Sequence, residues 1–146
     1  MNITLKVNNK THLATALPGD TLLTTLRALG YHSVRFGDEH GYSGSDTILF
    51  DGKVVNAGSM LTAQAEGHEI LTVESLGEHP DQGWKKTEGL HPIQEAFIET
   101  GAIQGGYYTP AQILTAKALL DENPAPDVDT VRAAMGGVLS RATGYV

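Results

Sequence analysis

The first half of the chain alternates apolar and polar residues, which is the pattern of half-buried β-strands. The stretches ITLKVNN and THLATAL both follow this two-residue period and meet at a turn formed by Asn8, Asn9 and Lys10. Further along, TILF and KVV flank an Asp-Gly pair, which is a strong hairpin signal, and HEILTVES alternates again. The pattern therefore predicts two hairpins and one further strand.

A single helix is predicted between the two hairpins. The leucines of TLLTTLRAL recur at helical spacing, Asp20 stands where an N-cap is expected, and Gly30 supplies a stop. The order of hairpin, helix and further strands is typical of a β-grasp, a ferredoxin-like α+β unit.

The second half of the chain has the periodicity of helices. One helix is predicted to open at Pro92 and to end at Gly101, the next begins at Thr109 and Pro110, and Asp127 caps a third. These helices predict a small all-α bundle.

A segment rich in glycine, proline and charge separates the two halves and lacks periodicity. We therefore predict a β-grasp domain over residues 1–76, a linker over 77–90 and a helical-bundle domain over 91–146.

Composition excludes several classes of function. The net charge of −7 argues against a nucleic-acid partner, and no run of residues is apolar enough to cross a membrane. The first residues lack a secretion signal, so a cytoplasmic location is expected. The chain has no cysteine, which excludes disulfides, a cysteine nucleophile and ordinary iron-sulfur ligation.

The segments HPIQEAFIETGAIQGGYYTP and LSRATGYV, placed after a β-grasp and a linker, carry a family resemblance. They resemble the small iron-sulfur subunit of the molybdenum hydroxylases, the xanthine dehydrogenase and aldehyde oxidase family, and the likeness covers nearly the whole chain. That family binds one 2Fe-2S cluster on F-G-C-x4-C-x2-C plus a later cysteine. It binds a second cluster on Q-C-G-x-C-T-P and C-R-C-T-G-Y.

The resemblance places other residues at all eight cysteine positions. We call the four former ligand positions of the first cluster the first ligand set, and those of the second cluster the second ligand set. The first set is Asp38, Ser43, Asp46 and Gly58, and the second set is Gly105, Tyr108, Ser140 and Ala142.

Glycine and alanine offer no donor to iron, so we expect a degenerate form that binds no 2Fe-2S cluster and no other cofactor or metal. We also expect Tyr108, with Tyr107, to fill the second site and Tyr42 to cover part of the first. An alternative is a hard metal ion held through Asp38, His40 and Asp46, together with Glu39.

The resemblance also implies a partner. In the family, the residue at the position of Gln104 faces a molybdopterin held by the large subunit, so Gln104 with Gly105 and Gly106 is expected to close part of the pterin site. The alternative for Gln104 is a purely local role at a helix end. We therefore predict a small subunit that is not catalytic alone and that docks to a molybdopterin-bearing large subunit, with a flavin-binding medium subunit as a possible third member.

Two other functions stay open. The whole complex could run altered molybdenum chemistry, either a non-redox hydration or hydroxyl transfer or a direct transfer of electrons to a diffusible acceptor. The chain could instead be a stand-alone module that binds a ligand in its former cluster pockets.

Overall fold

The first half of the protein folds as a five-stranded mixed sheet with one helix packed on it. The computed structural model describes residues 1–79, 84–85 and 89–139. The strands of this sheet are β1 (Asn2–Val7), β2 (Lys10–Thr15), β3 (Thr47–Phe50), β4 (Lys53–Asn56) and β5 (Glu69–Leu71). They lie in the order β2-β1-β5-β3-β4, in which only the neighbours β1 and β5 are parallel.

Both hairpins have two-residue turns, as predicted at Asp51-Gly52, whereas the first turn is one residue shorter than predicted because Lys10 pairs with Val7 in the sheet. The turn residues Asn8 and Asn9 have φ values of 52° and 64°, and Asp51 and Gly52 have φ values of 50° and 83°. A left-handed conformation at both central residues matches the twist of the strands, and asparagine, aspartate and glycine adopt it most readily.

Helix α1 (Leu22–Ala28) packs its leucines against the sheet, and Leu22, Leu23 and Leu26 are buried there. The predicted cap at Asp20 is wrong: Thr21 caps the helix by accepting the N–H of Thr24, at 3.2 Å. The Asp20 carboxylate turns away from the helix and accepts the N–H of Leu17 at 2.8 Å.

The strand predicted over HEILTVES is shorter than expected. It ends at Leu71, and a short 3-10 helix follows at Val73–Ser75. The N–H of Thr72 donates to Asn8 Oδ1 at 2.8 Å, and Asn8 Nδ2 donates to Thr72 Oγ1 at 2.8 Å. Because a side chain takes this N–H, the sheet ladder ends here. Two more 3-10 turns, Ala57–Ser59 and Thr62–Ala65, follow β4.

The second half contains three helices, α2 (Pro92–Glu99), α3 (Thr109–Glu122) and α4 (Val128–Met135). Their starts agree with the sequence, and Asp127 caps α4 by accepting the N–H of Thr130 at 2.7 Å. A second hydrophobic cluster of Leu49, Leu76, Ile113 and Leu114 packs α3 against β3.

The predicted fold class, a ferredoxin-like β-grasp with a small helical part, is confirmed. The domain boundaries stay a prediction. Inside the predicted linker, the two-residue strands β6 (Glu78–His79) and β7 (Trp84–Lys85) pair with each other, and strands this short leave no periodic signal in a sequence. None of the helices in the described part of the chain combines the length and apolar character needed to cross a bilayer.

Candidate functional site

The first ligand set is drawn together by hydrogen bonds, beginning with Asp38. Its Oδ2 accepts the backbone N–H groups of Tyr42 (2.9 Å) and His40 (3.1 Å), and its Oδ1 accepts that of Ser43 (3.1 Å). These donors, with Tyr42 and then Ser43 contributing most, lower the pKa of the Asp38 carboxyl from 3.8 to about 2. Asp38 is therefore ionised at neutral pH and serves its own loop as an anion.

Asp46 lies in a very different environment, because it is only 3% exposed. Its Oδ2 accepts the N–H of Gly58 at 2.6 Å, while its Oδ1 has no hydrogen-bond partner among the described residues. Burial raises the pKa of Asp46, and the N–H of Gly58 offsets part of that rise.

Gly58 and Asp46 are also complementary in shape. A Cβ built on Gly58 would lie 2.7 Å from Asp46 Oδ2, which is far inside a normal contact. The carboxylate at the third position of the set thus occupies space that a side chain at the fourth position would need.

Ser43, the remaining member of the first ligand set, lies beside Ser45 and Gly37. The Oγ atoms of Ser43 and Ser45 are 3.3 Å apart, and a Cβ on Gly37 would lie 1.9 Å and 2.2 Å from them. Ser45 also donates its hydroxyl to the carbonyl of Arg35 at 3.0 Å, while the N–H of Arg35 donates to the carbonyl of Ser45 at 3.3 Å.

The second ligand set is described only in part, because Ser140 and Ala142 lie outside the described residues. Gly105 is exposed with φ of 70°, and the half-buried ring of Tyr108 contacts the ring of Tyr107 edge-on, with centroids 5.5 Å apart. At the first set, Tyr42 is 74% exposed and does not cover the loop as expected.

Arg35 joins the two sets. Its Nη1 donates to the carbonyls of Gly106 (2.7 Å) and Tyr107 (2.8 Å), and its guanidinium carbon lies 5.1 Å from the centre of the Tyr107 ring. The Tyr107 hydroxyl donates in turn to the carbonyl of Phe36. The loop of residues 103–108 is therefore fastened directly to the segment that leads into Asp38.

A second contact joins the segment that follows α4 to the first set. The N–H of Leu139 donates to the carbonyl of Ser43 at 2.8 Å. Gly44, with φ of 74°, lies so close to Gly137 that a Cβ on Gly44 would be 2.1 Å from the Gly137 carbonyl oxygen. The chain just before Ser140 thus also lies against the first ligand set.

The structure gives no support to a hard metal ion at Asp38, His40 and Asp46. Within residues 1–79, 84–85 and 89–139, no group of three or more acidic or histidine side chains is positioned to hold one. A cavity of about 320 Å³ lies beside the loop, lined by Gly41, Tyr42, Asn56 and residues of α3 and α4. No member of the first ligand set lines this cavity.

Comparison with known proteins identifies the family. Residues 72–146 match the protein-family model described as a [2Fe-2S] binding domain. The nicotinate dehydrogenase small FeS subunit of Eubacterium barkeri is 38% identical over 100% of this chain and 88% of its own length. The chain belongs to the family of small iron-sulfur subunits of the molybdenum hydroxylases.

Solved structures agree with this assignment. The crystal structure of quinoline 2-oxidoreductase from Pseudomonas putida 86 matches with a TM-score of 0.90 and 38% identity, over 99% of this chain and 85% of the matched chain. The aldehyde oxidoreductase of Desulfovibrio desulfuricans matches with a TM-score of 0.85 and 38% identity over 96% of this chain, which spans 15% of that much longer protein.

These comparisons correct the expectation that the chain carries no cofactor. The matched model is a 2Fe-2S binding domain and the relative is named as an FeS subunit, so the family points to an iron-sulfur cofactor. An absence of cysteine is not proof that no such group binds.

The described residues nevertheless do not fit the ligation that the family uses. In place of thiolates, the first ligand set offers the two carboxylates of Asp38 and Asp46, one hydroxyl and a glycine. The two carboxylates accept the backbone N–H groups of Ser43 and Gly58.

The sequence missed the connection between the two sets. Arg35 and Tyr107 are more than 70 residues apart in the chain, and neither belongs to a ligand position. The family motif marks only Phe36 and Gly37 next to Arg35, and Tyr107 is expected from the sequence only to help fill the second site.

Proposed function

We propose that this chain is a docking subunit of a molybdenum-hydroxylase-like complex. It binds a large subunit that holds molybdopterin, and it does not catalyse the reaction alone. Gln104, with the backbone of Gly105 and Gly106, closes part of the pterin site on that partner. A flavin-binding medium subunit is a third member of the complex.

The observation that carries this proposal is the presentation of Gln104. Its side chain is exposed and makes no hydrogen bond to another described residue. The two glycines after it have φ values of 70° and 78°, a conformation that strongly favours glycine. A polar side chain held outward on a loop with fixed backbone is suited to a partner surface, whereas the local role at a helix end would need a partner within the chain.

The likeness to whole subunits supports the same proposal. The match to the nicotinate dehydrogenase small FeS subunit spans 88% of that protein, and its name describes one part of a larger enzyme. The docking role does not depend on which group binds at the ligand positions.

The test is to purify the chain from its source cell with its native partners and to quantify the large subunit and molybdopterin. We expect one large subunit for each copy of this chain, with molybdopterin in the same complex. Recovery of the chain without a stoichiometric large subunit would refute the docking role.

A variant then tests the role of Gln104 in the complex. Gln104→Ala should weaken binding of the large subunit by about tenfold, which is the effect of losing one good polar contact at an interface. Glu122→Ala is the matched control, because Glu122 lies at the other end of α3, about 20 Å from the loop. Equal binding by both variants would contradict the assignment of Gln104.

A further inference from the structure

The path of residues 103–108 is fixed from outside the loop. Gly105 and Gly106 give its backbone the greatest conformational freedom of any residue type, and Ile103, Gln104 and Gly105 are exposed. Left alone, such a segment would sample many conformations. Arg35 holds it by donating to the carbonyls of Gly106 and Tyr107.

The backbone of Arg35 is itself held by Ser45, which lies between two members of the first ligand set in the chain. Its backbone exchanges two hydrogen bonds with Ser45, one from its N–H to the Ser45 carbonyl and one from the Ser45 hydroxyl to its own carbonyl. Because the backbone is fixed, the guanidinium reaches the two loop carbonyls from a defined position.

Tyr107 contacts both Arg35 and the residue that follows it. Its ring lies under the guanidinium at 5.1 Å, and its hydroxyl donates to the carbonyl of Phe36, the residue after Arg35. The two residues thus hold each other through charge-assisted hydrogen bonds, a cation-π contact and a return hydrogen bond.

We propose that Arg35 is a positioning residue that fixes residues 103–108 and so presents Gln104 to the partner subunit. The inference rests on the proposed docking function and adds to it a residue that acts through the loop of residues 103–108. Arg35 acts by removing conformations of the loop before docking, which strengthens binding without a new intermolecular contact.

The first experiment measures affinity of the full chain for the purified large subunit. Arg35→Gln removes the charge and the paired donors, and we expect binding to weaken by about tenfold. Arg35→Lys keeps the charge and can reach one carbonyl, so it should restore part of the affinity. Arg132→Gln is the matched control, because Arg132 is an exposed arginine on α4, and its binding should equal that of the unchanged chain.

A double-mutant cycle separates positioning from general stability. If Arg35 acts through the loop, Arg35→Gln should cost less than about twofold in a chain that already carries Gln104→Ala. An equal loss of affinity in both backgrounds, or no loss in Arg35→Gln alone, would overturn the proposal.

Backbone order parameters from NMR relaxation of the full chain without its partner distinguish this inference from the docking proposal. The N–H groups of residues 104–108 should have lower order parameters in Arg35→Gln than in the unchanged chain, while those of β1 keep their values. Unchanged order parameters in the loop would overturn the positioning role. If the loop loses order as expected but the unchanged chain does not bind the large subunit, it is the docking function that fails, and the presentation of Gln104 to that partner fails with it.

Discussion

Replacing Gly58 by alanine gives a sharp test of the packing between the third and fourth positions of the first ligand set. The backbone of Gly58 does not have positive φ, so alanine can adopt its conformation without strain. The added Cβ, however, would lie 2.7 Å from Asp46 Oδ2, while its contact with Leu23 Cδ2 at 3.6 Å is ordinary. Any cost of the substitution must therefore come from displacing the Asp46 carboxylate.

The magnitude follows from the surroundings of that carboxylate. Moving Oδ2 breaks its 2.6 Å hydrogen bond to the N–H of Gly58, and Asp46 already has one oxygen without a partner in the described structure. A buried polar group that loses its partner costs about 1 to 3 kcal/mol. The loss of backbone freedom in the unfolded alanine variant returns about 0.4 to 1 kcal/mol. We therefore expect Gly58→Ala to lower the free energy of unfolding by about 1 to 2 kcal/mol.

Urea unfolding followed by circular dichroism measures this difference, with an unchanged dependence on urea showing that the unfolded state is the same. Gly19→Ala is the matched control, because a Cβ there meets no atom within 4 Å, and its stability should equal or exceed that of the unchanged chain. In an Asp46→Ala background, Gly58→Ala should cost nothing. The reasoning is refuted if Gly58→Ala is as stable as Gly19→Ala, or if its cost persists without the Asp46 carboxylate.

Three further predictions concern the loop, the second cluster and the cap of α1. Because the pKa of Asp38 is lowered from 3.8 to about 2, its stabilising contribution is complete above pH 4 and is lost as the pH falls towards 2. Asp38→Asn should thus be less stable at pH 7 and should show a shallower loss of stability between pH 4 and pH 2; parallel pH profiles would contradict this. Leu49→Ala should lower the free energy of unfolding by about 2 to 5 kcal/mol, because Leu49 is 2% exposed, whereas Leu13→Ala, at a side chain that is 71% exposed, should change it by less than about 0.5 kcal/mol. Thr21→Ala should cost about 1 kcal/mol and Asp20→Ala less, as measured by urea unfolding, and the reverse order would assign the cap to Asp20.

The elements that the sequence predicts well are those set by neighbouring residues. The two hairpins depend on turn pairs such as Asp51 and Gly52, whose left-handed conformation is a local property. The start of α3 at Thr109 and of α4 after Asp127 likewise follows from residues within one turn of each helix.

The elements that differ from the prediction depend on contacts with distant residues. The sequence alone does not distinguish Thr21 from Asp20 as a cap, because both residue types cap helices well. Thr21 is the cap because the carbonyl of Asp20 accepts the N–H of Thr62, 42 positions away, while the Asp20 carboxylate accepts the N–H of Leu17. In the same way, Asn8 ends β5 early by taking the N–H of Thr72 from 64 positions away.

In the candidate site, too, the sequence predicts what depends on neighbouring residues and not what depends on distant contacts. The family resemblance assigns Asp38, Ser43 and Asp46 to the first ligand set by the spacing of its motif, and it assigns Gly58 by its place after the second hairpin. Spacing does not tell which carboxylate is buried, because that depends on what packs above it. It also does not reveal that Arg35 reaches the loop of residues 103–108, since that contact depends on how the helices pack on the sheet.

Two aspartates of one ligand set are thus held in opposite ways, and the loop around Asp38 leads to the contact that links the two sets. Asp38 gathers three N–H groups of its loop and its pKa falls, whereas Asp46 has one N–H donor in a buried setting and its pKa rises. Convergent backbone N–H groups are suited to an anion, and the Asp38 carboxylate supplies one from within the chain. The loop it organises includes Ser43 and leads directly to Ser45, which fixes the backbone of Arg35. Arg35 in turn fastens residues 103–108. A substitution of Asp38 should therefore alter the position of Gln104, although no contact joins the two side chains in the described structure.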